Sequence, residues 1–112
     1  HEQAEHDTSF AFAGHQIDLA SGEAQLVDGR QIRLTTEERR LLDLFSKHPG
    51  EILDRDFLLD ALWSDGVYPS TRTIEKLVKK LRHHFEPQPD APIHFLRLSG
   101  IRFRFQPEGE SD

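Results

Sequence analysis

The segment from residue 70 to residue 86 constrains the fold most strongly, because it reads as one helix with two opposed faces. Its apolar residues recur at intervals of three and four, which puts them on one helical stripe: Ile74, Leu77, Val78, Leu81 and Phe85. About half a turn away lie Arg72, Lys76, Lys79 and His83, with Lys80 and Arg82 at the borders. The pattern predicts a helix that packs on a core with one face and attracts an anion with the other.

Prolines bound this helix, since Pro69 precedes it and Pro87 follows it. Ser70 or Thr71 can cap its first turn. The cations extend into that turn, where the helix dipole favours acids, so compensation of the dipole does not explain them. Plain solvation is the ordinary explanation of a charged face, yet only Glu75 interrupts the positive charges here.

The distribution of charge is more informative than the net charge of −6, which by itself argues against a nucleic-acid partner. Residues 1–7 carry three acids and no lysine or arginine, and residues 106–112 do the same. Between them, residues 8–68 hold 6 basic and 11 acidic side chains, whereas residues 69–105 hold 8 basic and 3 acidic ones. The second half of the chain is therefore expected to meet an anionic partner.

The length of 112 residues and the absence of cysteine limit the class of protein. A chain of this length fits one domain with a real core, without disulfides or a thiolate metal site. No apolar run is long enough to span a bilayer and no signal-peptide pattern is present, so a soluble, cytoplasmic piece without a membrane segment is predicted. We expect a folded domain at residues 8–105, an acidic tail or linker remnant at 1–7 and an acidic tail at 106–112.

The chain before the basic helix predicts a small antiparallel sheet followed by two helices. Alternating apolar residues within positions 10–34, separated by turns of which Asp-Gly at 28–29 is the clearest, predict three or four short strands. Thr35 and Glu38 can form a capping box at the start of the first helix. Asp54 is a good cap for the second.

A proline-rich link and a hairpin follow the basic helix. Residues 93–98 and 101–105 predict two short strands about a Ser-Gly turn. Apolar residues alternate with Arg102 and Arg104 in the second strand. The whole pattern predicts an α+β fold of winged helix-turn-helix architecture, with an N-terminal antiparallel sheet, three helices and a C-terminal β-hairpin wing.

Four separated motifs carry a family resemblance. They are Leu34-Thr35 with Glu38 and Leu41-Leu42; His48-Pro49-Gly50; Arg55-Asp56 with Leu58-Leu59 and Leu62-Trp63; and Arg72-Thr73-Ile74-Glu75 with Leu81-Arg82. Together they resemble the OmpR/PhoB-type winged-helix DNA-binding domain, the output domain of many bacterial two-component response regulators. In that family the third helix enters the major groove, and the wing reaches a neighbouring minor groove.

The resemblance implies which residues contact DNA. On the recognition helix, residues 70–86, they are Arg72, Thr73, Lys76, Lys79, Lys80 and Arg82, and on the wing, residues 93–105, the contact is Arg97. A loop matches the segment that touches RNA polymerase in activators of the family: Ser64, Asp65, Gly66, Val67 and Tyr68. The implied function is sequence-specific binding of double-stranded DNA by a bacterial transcriptional regulator, with RNA polymerase and a tandem dimer on DNA as further partners and no cofactor.

The wing departs from the family at its turn. The family's Gly-x-Gly-Tyr corresponds here to Leu98, Ser99, Gly100 and Ile101. Leu98 replaces a glycine, which adopts positive φ freely, so the wing tip is expected to turn differently. Phe95 stands where a small hydroxyl residue that contacts phosphate is common, so the wing follows the family less closely than the helix does.

Two other classes of protein were considered. A winged-helix interaction domain that has lost specific DNA binding would explain the acidic tails and the altered wing, and salt dependence of binding separates it from a DNA-binding domain. An enzyme is not predicted, because no Ser-His-Asp order, glycine-rich phosphate loop or spaced carboxylate pair stands out. His83 and His84 point to different helix faces, so no metal site is predicted.

Overall fold

A computed structural model describes residues 9–63 and 71–109. The elements in order are β1 (Ser9–Phe12), β2 (His15–Asp18), β3 (Glu23–Gln25), β4 (Gln31–Arg33), α1 (Thr36–Lys47), β5 (Ile52–Asp54), α2 (Arg55–Leu62), α3 (Thr71–Phe85), β6 (Phe95–Leu98) and β7 (Arg102–Phe105). The predicted α+β winged helix is confirmed. The predicted tail at residues 1–7 and the loop before α3 lie outside the described residues.

The first four strands form an antiparallel sheet in the order β1-β2-β3-β4. Ile17 of β2 lies opposite Phe10 of β1 and Ala24 of β3, so these side chains share the inner face. At the turn between β3 and β4, the Gly29 N–H donates to the Leu26 carbonyl oxygen at 2.9 Å. This turn confirms the hairpin predicted from the Asp-Gly pair.

The first two helices begin at the predicted caps. Thr35 Oγ1 accepts from the Glu38 N–H, while Glu38 Oε1 accepts from the Thr35 N–H, which completes the capping box of α1. Asp54 Oδ1 accepts from the Phe57 N–H at 2.9 Å at the start of α2. The cap predicted at Ser70 for the third helix lies outside the described residues.

A short strand that the sequence analysis missed joins the wing to the helices. β5 pairs with β7, and β7 with β6, in an antiparallel three-stranded sheet. Leu53 lies opposite Phe103, and Asp54 lies opposite Arg102. Because β5 has only three residues and its partner is distant in the sequence, no alternation reveals it.

The core lies where the two sheets meet the three helices. The five apolar residues of α3 predicted to face a core are all buried, which confirms the stripe. Fully buried phenylalanines from α1, α3, β6 and β7 meet there: Phe45, Phe85, Phe95, Phe103 and Phe105. Trp63 packs against this core, as predicted. The Gln106 N–H donates to the His94 carbonyl oxygen at 2.7 Å, so ordered contacts pass the domain end predicted at Phe105.

Candidate nucleic-acid interface

The outer face of α3 presents a row of free cations, here called the α3 stripe: Arg72, Lys76, Lys79 and Lys80. All four side chains are exposed. Within residues 9–63 and 71–109 none of them forms an ion pair or a side-chain hydrogen bond. Thr73 is half-buried beside the stripe. An ordered helix with unpaired positive charge along one side is suited to a polyanion, because its width matches the DNA major groove.

Arg82 differs from the α3 stripe because the protein itself uses it. Its side chain is half-buried, and its Nε donates to the Phe95 carbonyl oxygen of β6 at 3.0 Å. Burial lowers the pKa of Arg82, the Glu86 carboxylate raises it, and the Arg97 charge lowers it. An arginine stays protonated despite such shifts. Arg82 therefore brings a positive charge to the junction between α3 and the wing.

Glu86, which the sequence analysis did not single out, fastens the wing to the end of α3. Its buried carboxylate accepts hydrogen bonds from the backbone N–H groups of Ile93, His94 and Phe95, at 2.9, 2.8 and 2.7 Å. Charge-assisted bonds of this kind are about twice as strong as neutral ones. The only sequence signal is an acid between a helix and a proline, which is too general to assign a role.

Arg97, the predicted wing arginine, lies against α3. It stands opposite Phe103 in the β6–β7 pair, so its side chain leaves the hairpin on the face toward the core. Its Nε and Nη2 donate to Glu75 Oε2 at 3.0 and 2.8 Å. The wing arginine is thus held at the edge of the recognition helix.

A cleft of about 530 Å³ separates α3 from the wing and from the proline-rich link. Its charged lining residues are Glu75, Lys79, Arg82, His83, Asp90 and Arg97. The structure therefore brings three of the predicted contact residues, from two elements, to one cleft. Arg72 and Lys76 continue the positive surface outside it.

The tip of the wing turns through Gly100 and Ile101, with φ values of 78° and 56°. Leu98 is the last residue of β6 and its φ is not positive. The expectation that replacing glycine at Leu98 alters the turn was wrong on this point, because that position does not use positive φ. Positive φ is strained for a β-branched residue, and the packing of Ile101 against the core offsets the strain. Arg102 Nε donates to the Ser99 carbonyl oxygen at 2.8 Å across this turn.

Two buried histidines support the end of α3 and the wing. His15 Nδ1 accepts from the Val27 N–H at 3.1 Å, so its Nε2 carries the proton and donates to the Phe85 carbonyl oxygen at 3.0 Å. Burial lowers the pKa of His15, which favours this neutral form. His94 Nδ1 donates to the Gln106 carbonyl oxygen at 2.7 Å. Single histidines in short strands follow no pattern, so the sequence analysis passed over both.

Other predictions concern features that these contacts do not reach. The predicted polymerase-contact residues lie outside the described residues: Ser64, Asp65, Gly66, Val67 and Tyr68. Within residues 9–63 and 71–109, every helix is too short or too polar to cross a membrane. In the same part of the chain, His, Asp and Glu side chains form no group of three or more that could hold a metal ion.

Comparison with known proteins identifies related sequences. Residues 29–103 match the family described as "Transcriptional regulatory protein, C terminal". The chain is 34% identical over 79 residues to the alkaline phosphatase synthesis transcriptional regulatory protein SphR of Synechococcus elongatus, covering 70% of this chain and 31% of SphR. It is 32% identical over 97 residues to the aerobic respiration control protein ArcA of Escherichia coli K12, covering 87% of this chain and 41% of ArcA. The chain thus spans less than half the length of these relatives.

Solved structures share the fold. The Thermotoga maritima response regulator DrrB, described as an OmpR/PhoB homolog, aligns with a TM-score of 0.75 and 25% identity over 92% of this chain and 47% of DrrB. The Klebsiella pneumoniae RstA DNA-binding domain, crystallised with the RstA box, aligns with a TM-score of 0.72 and 24% identity over 89% of this chain and 98% of that domain. The OmpR/PhoB-type resemblance is confirmed, and the chain belongs to the family of C-terminal domains of transcriptional regulatory proteins.

Proposed function

We propose that this domain binds double-stranded DNA sequence-specifically, as the output domain of a bacterial two-component response regulator. The recognition helix α3 lies in the major groove, and the wing, residues 93–105, lies near the minor groove. The observation that carries the proposal is the α3 stripe, four exposed cations without a protein partner among the described residues. The relatives, named as transcriptional regulators, support it.

The residues of the interface divide into two roles. Phosphate contacts position a protein on DNA and supply much of the affinity, whereas contacts with base edges supply the sequence. The α3 stripe supplies mainly phosphate contacts, with Arg72 and Lys76 nearest the first turn. Thr73 lies beside them, and Arg82 and Arg97 add positive charge from the cleft. No cofactor is required for either role.

Salt dependence of binding tests the proposal directly. Duplexes are first selected from a random-sequence library with the purified domain, and affinity is then measured by fluorescence anisotropy at several salt concentrations. Each phosphate contact contributes about 0.9 to the slope of log affinity against log salt. Replacing Lys79 and Lys80 with alanine should therefore flatten the slope by about 1.8.

The matched control removes two cations from another helix, with Arg40 and Lys47 of α1 replaced by alanine. This double variant should leave both slope and affinity unchanged. Equal effects of the two double variants would contradict the assignment of α3. Binding that does not depend on salt would contradict DNA binding and favour the interaction domain.

Tandem binding is the second part of the proposal. One recognition helix and one wing cover little DNA, so two copies on adjacent half-sites are expected to bind more tightly than one. Duplexes that carry one or two copies of the selected site test this. Equal affinity per site would count against a tandem dimer.

Contact with RNA polymerase is the third part, and it rests on the resemblance of residues 64–68 to the activator loop. Alanine at Asp65 and Tyr68 should lower transcription in a reconstituted assay and leave DNA affinity intact. Loss of both activities together would contradict a separate polymerase contact. Both partners lie in the bacterial cytoplasm, so the domain is proposed to act there.

A further inference from the structure

Glu75 is the one acidic residue of α3, and it interrupts the cationic side of that helix. On its own helix Arg72 and Lys79 lie at the spacing at which side chains meet. Its carboxylate instead accepts from Arg97 of β6, at 2.8 and 3.0 Å. The acid therefore binds the wing and leaves the cations of its own helix unpaired.

The geometry of this pair orients the arginine. Both bonds reach the same oxygen, Oε2, from Nε and Nη2 of Arg97, which fixes one edge of the guanidinium. A free arginine side chain samples many rotamers and loses that freedom when it binds. Because Glu75 and Arg97 both line the cleft between α3 and the wing, the fixed group lies beside the face that meets a ligand. An arginine held in advance binds with a smaller loss of side-chain entropy.

The pair is not needed to hold the wing in place. The two side chains are 42% and 39% exposed, and ion pairs at such exposure contribute little to stability. The buried Glu86 and the half-buried Arg82 already join the wing to α3. The function of the Glu75 pair must therefore be sought in what Arg97 does.

We propose that Glu75 is a positioning residue that holds Arg97 ready for the minor groove, and that it thereby sets the preference for the sequence flanking the major-groove site. This inference rests on the DNA-binding function proposed above. The narrow minor groove of A·T tracts attracts arginine, so the preference is for A·T flanks. Glu75 itself repels phosphate, so its effects on affinity and on selectivity have opposite signs. This difference in sign separates positioning from simple charge.

Two duplexes that share one selected site and differ only in A·T or G·C flanks measure the effect. The wild-type domain should prefer the A·T duplex by about fivefold. Glu75→Ala should reduce the ratio below about twofold, as Arg97→Ala does, while affinity for the G·C duplex is unchanged or higher. Adding Arg97→Ala to Glu75→Ala should change the ratio no further.

The matched control breaks an ion pair of the same length elsewhere. Arg33 Nη2 lies 2.8 Å from Glu23 Oε2 on the N-terminal sheet, and both side chains are exposed. Glu23→Ala should change neither the flank ratio nor the affinity. A flank effect from Glu23→Ala would overturn the proposal, because any lost carboxylate would then produce it.

An NMR measurement on the free domain keeps the test independent of DNA. The Arg97 Nε–H signal should be resolved and slow to exchange in the wild type and should be lost in Glu75→Ala, with the backbone amide spectrum retained. A retained Arg97 signal, or a retained flank preference in Glu75→Ala, overturns the proposal. A wild-type domain without flank preference also overturns it. In that case the salt slopes of the Lys79 and Lys80 variants decide separately whether DNA binding by α3 stands.

Discussion

The recognition helix and the wing present positive charge in different ways. α3 is held by its own backbone hydrogen bonds and by an apolar stripe in the core, so its cations are left free. The wing consists of two four-residue strands. Its cations are engaged by the protein: Arg97 binds Glu75, and Arg102 binds Ser99. An element that is stable by itself can expose all its charges, whereas one that depends on neighbours uses some of its charges to stay in place.

Glu86 gives the largest expected difference between the two elements. Glu86→Ala removes the acceptor of three backbone N–H groups at the start of β6 and leaves buried donors unpaired. Each such donor costs about 1–3 kcal/mol, so the free energy of unfolding should fall by about 3 kcal/mol or more. Urea denaturation followed by circular dichroism measures it. Glu108→Ala, which removes an exposed acid, is the control, and similar values for the two variants would show that the wing does not depend on Glu86.

His15 should make the attachment of α3 sensitive to pH. Burial lowers the pKa of His15 below its ordinary 6.5 in the folded state. The unfolded chain therefore binds a proton more readily between the lowered pKa and 6.5. Stability is thus complete above this window and decreases as the pH falls through it, by up to about 1.4 kcal/mol per pH unit.

His15→Gln isolates this contribution, because a glutamine amide can accept from Val27 and donate to Phe85 without titrating. Unfolding free energies of the variant between pH 7 and pH 5 should depend less steeply on pH than those of the wild type. His83→Gln, at an exposed position of α3, should keep the wild-type slope. Parallel pH profiles for the wild type and His15→Gln would remove the histidine from this role.

Arg82 and Lys79 test the comparison within one helix. Arg82→Ala removes the bond to Phe95 and should lower the unfolding free energy by about 1 kcal/mol. Lys79→Ala should change stability by less than about 0.5 kcal/mol and should flatten the salt slope of DNA binding by about 0.9. Thermal melts and anisotropy titrations of the same two proteins provide both readings. If Lys79→Ala destabilises the fold as much as Arg82→Ala, the distinction between free and engaged cations fails.

The acidic ends of the chain should have the smallest effect. Residues 1–7 and 106–112 carry three acids each, which repel phosphate within a Debye length of about 10 Å at 0.1 M salt. Replacing the six acids with their amides should raise DNA affinity about twofold at low salt and leave it unchanged at high salt. Unchanged affinity at low salt would indicate that these charges lie away from the bound DNA.

Local patterns predicted what local physics determines. The spacing of apolar residues in α3, the Thr35 and Glu38 capping box and the Asp54 cap each involve residues within a few positions of one another, and each is present in the structure. The exposed cations of the α3 stripe follow from the same periodicity. Their contact with DNA remains a prediction that follows from the family.

Contacts between distant parts of the chain could not be predicted in this way. Glu86 meets the start of β6 only after the proline-rich link returns the chain, and β5 meets β7 from the other side of two helices. His15 reaches Phe85 across the whole domain. No spacing rule connects such residues. The attachment of the wing was therefore missed, although the wing itself was predicted.

Asp54 belongs to the wing sheet and to the helix-turn-helix unit at once. Its backbone pairs with Arg102 of β7, and its carboxylate caps α2 through the Phe57 N–H. A displacement of the wing cannot leave the start of α2 unchanged unless the strand pair or the cap breaks. The two units are therefore mechanically linked at a single residue. Since α2 leads directly into residues 64–68, the fit of the wing in a minor groove has a short covalent route to the surface proposed for RNA polymerase.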